Sequence, residues 1–119
     1  METVSNYTET LEKTVRDLLE RQDDLIRTAF TDQLTGLGNR GGFARSLEEL
    51  WEQDAPVTMA FIDIDNLKHC NDVFGHDEGN RYILQVSLYL KLYMKVDEAA
   101  FRLGGDEFAI RSTIATEDD

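Results

Sequence analysis

The first thirty residues carry a seven-residue repeat that predicts one long helix. The d positions are Val4, Leu11, Leu18 and Leu25, and the a positions are Thr8, Val15, Gln22 and Ala29. A helix from Val4 to Ala29 is roughly 39 Å long, at about 1.5 Å per residue, which is too long to lie wholly on a small domain. We therefore predict a parallel two-stranded coiled coil over residues 1–30. The alternative is a single amphipathic helix folded back on its own domain.

Residues 31–119 have the length of one small domain, which begins with a loop. The stretch TDQLTGLGNRGGF is rich in Gly, Thr and Asn and breaks the helical period. A short amphipathic helix that ends before Pro56 is then predicted by the spacing of Phe43, Leu47, Leu50 and Trp51. The next stretch, VTMAFIDID, is apolar and rich in β-branched residues, which predicts a buried strand with Asp63 and Asp65 at its far end.

Two helices and a hairpin complete the predicted domain. The first helix covers Leu67 to Phe74 and is interrupted at Gly75, and the second runs from Asp77 through Lys95. The second helix has one apolar stripe, formed by Ile83, Val86, Leu90 and Met94, and we expect this stripe to lie in the core together with Phe101 and Phe108. In FRLGGDEFAI, the hairpin strands are predicted by the alternation of Phe101, Leu103, Phe108 and Ile110. Gly104 and Gly105 allow the positive φ that a tight turn between such strands requires.

The net charge limits the classes of molecule that the chain can bind. The chain has 24 Asp and Glu against 12 Lys and Arg, a net charge of −12, whereas proteins that bind nucleic acid backbones need a basic surface. Nucleic acid is therefore excluded as a general partner. The single cysteine, Cys70, forms no intrachain disulfide, and no apolar run is long enough to cross a bilayer. No signal peptide is evident near Met1, so we predict a cytoplasmic protein without a membrane span.

The acidic residues at the end of the predicted strand and on the hairpin suggest a metal site. If the hairpin lies beside the strand, Asp106 and Glu107 approach Asp63, and the three carboxylates repel one another unless a cation is present. Mg²⁺ is usually held by one or two carboxylates together with substrate phosphates. The helix N-terminus just after Asp65 offers backbone N–H groups to such phosphates.

Three stretches taken together resemble a known family, the GGDEF domain, which is the catalytic module of diguanylate cyclases. They are DQLTGLGNR at 32–40, FIDIDNLKHCNDVFGHDEGN at 61–80 and FRLGGDEF at 101–108. The resemblance implies an α+β fold, with a palm-like (ferredoxin-like) sheet and flanking helices akin to the class III nucleotidyl cyclases. It also implies a homodimer in which two domains, each with GTP and two Mg²⁺ or Mn²⁺ ions, make cyclic di-GMP and release pyrophosphate.

The resemblance assigns roles to residues by their position in the motifs. It implies metal ligands at Asp63, Asp106 and the backbone carbonyl of Ile64. Asp106 is also implied as the base that takes the proton of the attacking hydroxyl, with Glu107 as a supporting acid and Lys68 offsetting triphosphate charge. The implied substrate-binding residues are Asn71, His76, Asn80, Gly104 and Gly105. Asp32 and Arg40 are expected to be structural and to tie the entry loop to the domain through a charge-assisted contact.

The chain departs from the family pattern in three places. Asn80 stands where the family usually has an Asp that accepts from guanine, so selectivity for GTP is expected to weaken. Lys95 and Glu98 replace the Arg and Asp of the product-inhibition site, so weak or absent product inhibition is expected. The resemblance stops at Asp119, about half way through a typical family domain, and we expect a portion of a longer domain. The alternative function is a non-catalytic signalling module, a truncated or degenerate GGDEF domain that binds GTP and dimerises. For either function an upstream sensor or partner protein is a candidate partner.

Overall fold

A computed structural model describes residues 2–113 as four helices and three strands. The helices are α1 (Glu2–Phe30), α2 (Arg40–Glu52), α3 (Leu67–Phe74) and α4 (His76–Tyr93). The strands are β1 (Thr58–Asp63), β2 (Glu98–Arg102) and β3 (Glu107–Ser112). This arrangement confirms the predicted α+β fold, in which helices flank a small sheet.

Helix α1 extends away from the domain. Residues 3–29 are all exposed, and the principal extents of the molecule are 66 × 45 × 21 Å. The helix is therefore not folded back on its own domain, which contradicts the alternative considered from the sequence. Its C-terminal end packs against the start of α2, where a Cβ at Gly42 would lie 2.4 Å from the Phe30 carbonyl oxygen. Glycine is thus required for the close approach of the two helices.

The sheet is antiparallel and has the strand order β1-β3-β2. Strand β3, which begins at Glu107, is central. Its register places Glu107 opposite Asp63 of β1 and Phe108 opposite Arg102 of β2. The sheet therefore brings the end of β1 beside the hairpin turn, as the predicted metal site requires.

The hydrophobic core lies on both faces of the central strand. Phe108 is fully buried and packs with Ile83 of α4, whereas Ala109 packs with Phe101 and Phe43 of α2. The rings of Phe43 and Phe101 are 5.2 Å apart, centroid to centroid. The predictions that Phe101, Phe108 and the Ile83 stripe belong to the core are confirmed.

The predicted burial of the first strand is wrong. Five of the six residues of β1 are exposed, and Phe61 keeps 60% of its surface accessible. Within the described sheet β1 pairs with β3 along one edge, and Ile62 of β1 and residues of helix α4 line an apolar groove of about 690 Å³. An apolar sequence identifies a strand, but its burial depends on what covers it.

Two local expectations also need correction. Neither Gly104 nor Gly105 has a positive φ, because the hairpin loop spans residues 103–106 and is closed by hydrogen bonds to the Glu107 carbonyl from the N–H groups of Leu103 (2.8 Å) and Gly104 (3.4 Å). A loop of this length does not need the two-residue turn that requires positive φ. The long helix α4 begins at His76 and ends at Tyr93, two residues earlier than predicted.

Candidate active site

The end of β1 and the hairpin turn meet through the backbone. The Ile64 N–H donates to the Asp106 carbonyl oxygen at 2.8 Å, one residue beyond the paired positions Asp63 and Glu107. Asp63 and Asp106 are exposed, whereas Glu107 is half-buried. The two segments that the sequence predicted to converge are therefore adjacent.

The carboxylates do not form the predicted three-acid cluster. Across residues 2–113, no three His, Cys, Asp or Glu side chains lie close enough together to hold a metal ion. The remaining candidate ligands are two exposed carboxylates, Asp63 and Asp106, and the backbone carbonyl of Ile64. These are hard oxygen donors, and one or two carboxylates with substrate phosphates are the usual complement for Mg²⁺. The donor set thus fits a cation that arrives with a nucleotide.

Helix α3 begins directly beside these acids with an uncapped N-terminus. Its N-cap residue, Asn66, adopts a left-handed conformation with φ of 63°, and its side chain caps no backbone N–H. The first-turn N–H groups of a helix have no intrahelical partner and favour anions. Lys68 is exposed in this first turn. The start of α3 therefore has the backbone and side-chain donors that a phosphate group needs.

The three polar side chains predicted to bind the substrate lie around the corner between α3 and α4. Asn71 lies against Gly79, where an added Cβ would be only 1.6 Å from Asn71 Oδ1. Among residues 2–113, Asn71 Oδ1 is a buried oxygen without a hydrogen-bond partner. His76 and Asn80 are exposed and four residues apart, which places them on one side of α4. The fold thus groups these residues at one corner.

The glycines of the turn leave open space. At both Gly104 and Gly105 no heavy atom lies within 4 Å of the position that a Cβ would occupy, and both residues are exposed. Since their φ values are ordinary, the backbone geometry does not require glycine at either position. The space is consistent with a ligand that approaches the backbone closely.

Asp32 makes the predicted charge-assisted contact, but its partner is Arg102 and not Arg40. Arg102 Nη1 lies 3.1 Å from Asp32 Oδ1 and 3.3 Å from Oδ2. The N–H and hydroxyl of Thr35 also donate to Asp32 Oδ2, at 2.9 and 2.7 Å. Arg40 forms no ion pair with any residue between 2 and 113. The expected tie between the entry loop and the domain therefore runs to the end of β2.

This environment lowers the pKa of Asp32. Burial by itself raises the pKa of the carboxyl group, but the hydrogen bonds from Thr35 and the charge of Arg102 outweigh burial, so the pKa lies below the ordinary value of 3.8. A carboxyl group whose pKa is lower in the folded than in the unfolded state stabilises the fold above the unfolded pKa. The stabilisation is lost as the pH falls through the folded pKa.

We therefore expect Asp32→Asn to lower the free energy of unfolding by about 1–2 kcal/mol at pH 7. The difference from the wild type stays constant down to about pH 5 and shrinks below about pH 4. Urea unfolding followed by circular dichroism at a series of pH values measures it. Asp24→Asn is the matched control, since the Asp24–Arg27 pair is exposed and contributes little. If the difference in free energy of unfolding between the wild type and Asp32→Asn does not change with pH, the assignment of a lowered pKa to Asp32 is contradicted.

Lys95 and Glu98 are engaged with each other in the turn before β2. The Lys95 N–H donates to Glu98 Oε1 and the Glu98 N–H donates to the Lys95 carbonyl, both at 3.0 Å. One carboxylate oxygen of Glu98 thus accepts the hydrogen bond that helps to close the turn over residues 95–98. The expectation of weak product inhibition at these positions stays a prediction.

Two residues of the site region were missed from the sequence. Arg102 anchors Asp32, and Lys91 of α4 donates a hydrogen bond to the Thr35 carbonyl. A cation within the otherwise apolar stretch AAFRLG was a signal for Arg102, because a charged residue between buried strand positions needs a partner. Lys91 lies on an ordinary amphipathic helix, and no local signal distinguished it.

Within the described residues, the helices are too short or too polar for any of them to span a bilayer.

Comparison with known proteins identifies the family. Residues 29–118 match the family model described as "Diguanylate cyclase, GGDEF domain". The chain is 39% identical over 105 residues to diguanylate cyclase DgcP of Escherichia coli and 41% identical over 96 residues to DgcN of the same organism. These alignments cover 85% and 78% of this chain but 31% and 24% of the relatives. The chain therefore spans less than a third of either curated relative.

A solved structure agrees with this result. The coiled coil and GGDEF domain of DgcB from Caulobacter crescentus, in complex with c-di-GMP, matches with a TM-score of 0.84 and 30% identity. The match covers 95% of this chain and 62% of that chain, so it includes the long helix as well as the domain. The three motifs occur in the predicted order, and the sheet joins the second motif to the third. The chain belongs to the GGDEF family of diguanylate cyclase domains.

Proposed function

We propose that the chain contributes the catalytic portion of a diguanylate cyclase, which joins two GTP molecules into cyclic di-GMP and releases two pyrophosphates. The observation that carries the proposal is the hydrogen bond from the Ile64 N–H to the Asp106 carbonyl. It fixes the acid-bearing end of β1 beside the turn that contains the family signature. The uncapped helix α3 begins three residues after Ile64 in the chain and has free first-turn N–H groups that suit phosphates.

In the proposed mechanism, Asp63, Asp106 and the Ile64 carbonyl would hold divalent cations, two per site and either Mg²⁺ or Mn²⁺. Bound cations would neutralise phosphate charge and lower the pKa of the attacking hydroxyl. Asp106 accepts the proton of the 3′-hydroxyl, whose oxygen forms a bond to the α-phosphorus of the facing GTP while the bond to pyrophosphate breaks. Glu107 supports Asp106 as a second acidic side chain, and Lys68 offsets negative charge on the triphosphate. The same step in the facing site closes the ring.

The base is proposed to lie at the corner of α3 and α4. The unpaired Asn71 Oδ1 is an acceptor, and the exposed His76 and Asn80 lie one helical turn apart on α4. Gly104 and Gly105 leave room for the nucleotide to approach the turn. Each of these contacts extends a role that the family resemblance implies.

The reaction requires two facing sites, so the proposal includes a homodimer. Residues 1–30 form the dimerising helix, and residues 31–119 form the GGDEF portion. The apolar d positions of α1 are all exposed, and a second copy of the helix would cover them in a parallel coiled coil. An upstream sensor or partner protein would act through this helix. The proposed setting is the cytoplasm, where GTP is available.

Product analysis tests the proposal. The chain is incubated with GTP and Mg²⁺ or Mn²⁺, both as it stands and fused to the C-terminal part of the DgcB domain, and the products are identified by mass spectrometry. We expect weak nucleotide binding by the chain and cyclic di-GMP from the fusion. A folded, dimeric fusion that binds GTP but makes no cyclic dinucleotide would leave the non-catalytic signalling module as the function.

Asn80 gives a prediction about base selectivity. A carboxylate at this position would accept from two N–H groups of the guanine edge, whereas the amide supplies one acceptor and one donor. We expect Asn80→Asp to raise the preference for GTP over ATP by about tenfold or more, since a charge-assisted hydrogen bond contributes roughly 1.5–3 kcal/mol. Competition binding of the two nucleotides measures the ratio. Gln85→Glu adds the same charge to an exposed position of α4 and should leave the ratio unchanged.

A further inference from the structure

A continuous series of polar contacts connects the end of α1 to the signature turn, which is the hairpin loop at residues 103–106. Asp32 lies two residues after the last residue of α1, and its carboxylate receives Arg102 Nη1 at 3.1 and 3.3 Å. The other terminal nitrogen of the same guanidinium, Nη2, donates to the Gly105 carbonyl at 3.2 Å. One planar side chain thus touches both the entry loop and the turn.

The turn is held on both sides of Asp106, through the peptide that precedes this residue and the peptide that follows it. The Gly105 carbonyl accepts from Arg102, and the Asp106 carbonyl accepts from the Ile64 N–H of the segment after β1 at 2.8 Å. Fixing two consecutive carbonyls restricts the backbone torsions that set the direction of the Asp106 side chain. If the Arg102 contact is released, the loop stays closed at Glu107 and the Asp106 carbonyl stays bonded to Ile64, but the Gly105 carbonyl that precedes Asp106 is no longer fixed by the guanidinium.

The Arg102–Asp32 ion pair is shielded from solvent, so it can form a rigid connection between the entry loop and the turn. The side chains of Arg102 and Asp32 are 15% and 19% exposed, whereas the three other ion pairs found among the described residues lie on helix surfaces and are about half exposed or more. Charge-assisted contacts that are shielded from solvent are stronger and less screened than surface pairs. Asp32 is in turn fixed by two hydrogen bonds from Thr35.

We infer that Arg102 is a positioning residue, which holds the turn bearing Asp106 in register with the C-terminal end of helix α1 through Asp32. The inference deepens the proposed function, on which it rests. A displacement of α1 relative to the domain would move Asp32 and, through the guanidinium, the Gly105 carbonyl. The position of α1 relative to the domain thereby sets the orientation of Asp106, which the proposed reaction uses as its base.

The test combines hydrogen exchange with ligand binding. Amide exchange of residues 104–107 and the affinity for Mn²⁺ with GTP are measured for the wild-type chain, Arg102→Gln, Arg102→Lys and Lys91→Gln. Lys91→Gln is the control, because Lys91 anchors the same loop through Thr35 but has no hydrogen bond to the turn. Urea unfolding of each variant gives the global stability against which exchange is compared.

We expect Arg102→Gln to accelerate exchange of the turn amides and to weaken Mn²⁺ and GTP binding, each by about tenfold. Arg102→Lys should keep most of the global stability, since it can still pair with Asp32, but should accelerate turn exchange, since an ammonium lacks the fork that reaches two acceptors. Lys91→Gln should leave turn exchange at the wild-type rate.

The inference is overturned if Arg102→Gln and Arg102→Lys leave turn exchange unchanged, or if Lys91→Gln accelerates it equally. A wild-type chain that binds neither Mn²⁺ nor GTP would count against the proposed function alone. The exchange measurement uses no nucleotide, so it decides the role of Arg102 in that case as well.

Discussion

Asp106→Ala is expected to lower cyclic di-GMP formation by the DgcB fusion at least about 10³-fold, because it removes both a proposed metal ligand and the base. Loss of metal-assisted charge stabilisation costs several kcal/mol in the transition state, and each tenfold in rate corresponds to about 1.4 kcal/mol. Quantifying the product by mass spectrometry under saturating GTP measures the effect. The fold should persist, since the Asp106 contact that joins β1 to the turn is made by the backbone carbonyl.

Two controls separate chemistry from folding. Asp106→Asn keeps the shape of the side chain but removes its charge and basicity, so it should also lose activity by orders of magnitude. Asp17→Ala removes an exposed carboxylate on α1 and should retain activity. A fully folded Asp106→Ala fusion with more than a tenth of the wild-type rate would contradict the assignment of Asp106 as the base.

Leu18→Asp is expected to convert the proposed dimer to a monomer. Leu18 occupies a central d position of α1, and in a parallel coiled coil its two copies face each other across the seam. The substitution removes two apolar contacts and places two carboxylates against each other, so the dissociation constant should rise by about 100-fold or more. Analytical ultracentrifugation over a concentration series measures it, and product formation by the fusion should fall in parallel.

Thr10→Asp is the matched control for this prediction. It adds the same charge to the same helix at a c position, which lies outside the a and d seam. The variant should remain dimeric. If Leu18→Asp and Thr10→Asp dimerise as the wild type does, the dimer is formed by another surface and the assignment of α1 fails.

Much of the element order was predictable because it depends on local periodicity. The repeat at Val4 to Ala29, the Ile83 stripe and the alternation around Phe108 each specify an element without reference to the rest of the chain. The adjacency of Asp63 and the signature turn followed from the same patterns once the hairpin was placed beside β1. The family motifs then supplied the roles of the site residues, which periodicity does not encode.

What could not be predicted depends on distant partners. Asp32 and Arg102 are 70 residues apart in the chain, so no local pattern pairs them, and Arg40 was an equally reasonable candidate. The exposure of Phe61 depends on what packs over β1, which the apolar sequence of the strand does not specify. The φ values of Gly104 and Gly105 depend on the length of the loop, which is set by the pairing of β2 with β3 and not by the glycines.

The central position of β3 has a consequence for biosynthesis. In the described sheet both β1 and β2 pair with β3, the last of the three strands to leave the ribosome. At about 5–20 residues per second, α1 is free of the ribosome for several seconds before any strand pairing can begin. Helices form in roughly a microsecond, so we expect nascent chains on one polysome to associate through α1 first and to complete their sheets afterwards, as an already paired assembly.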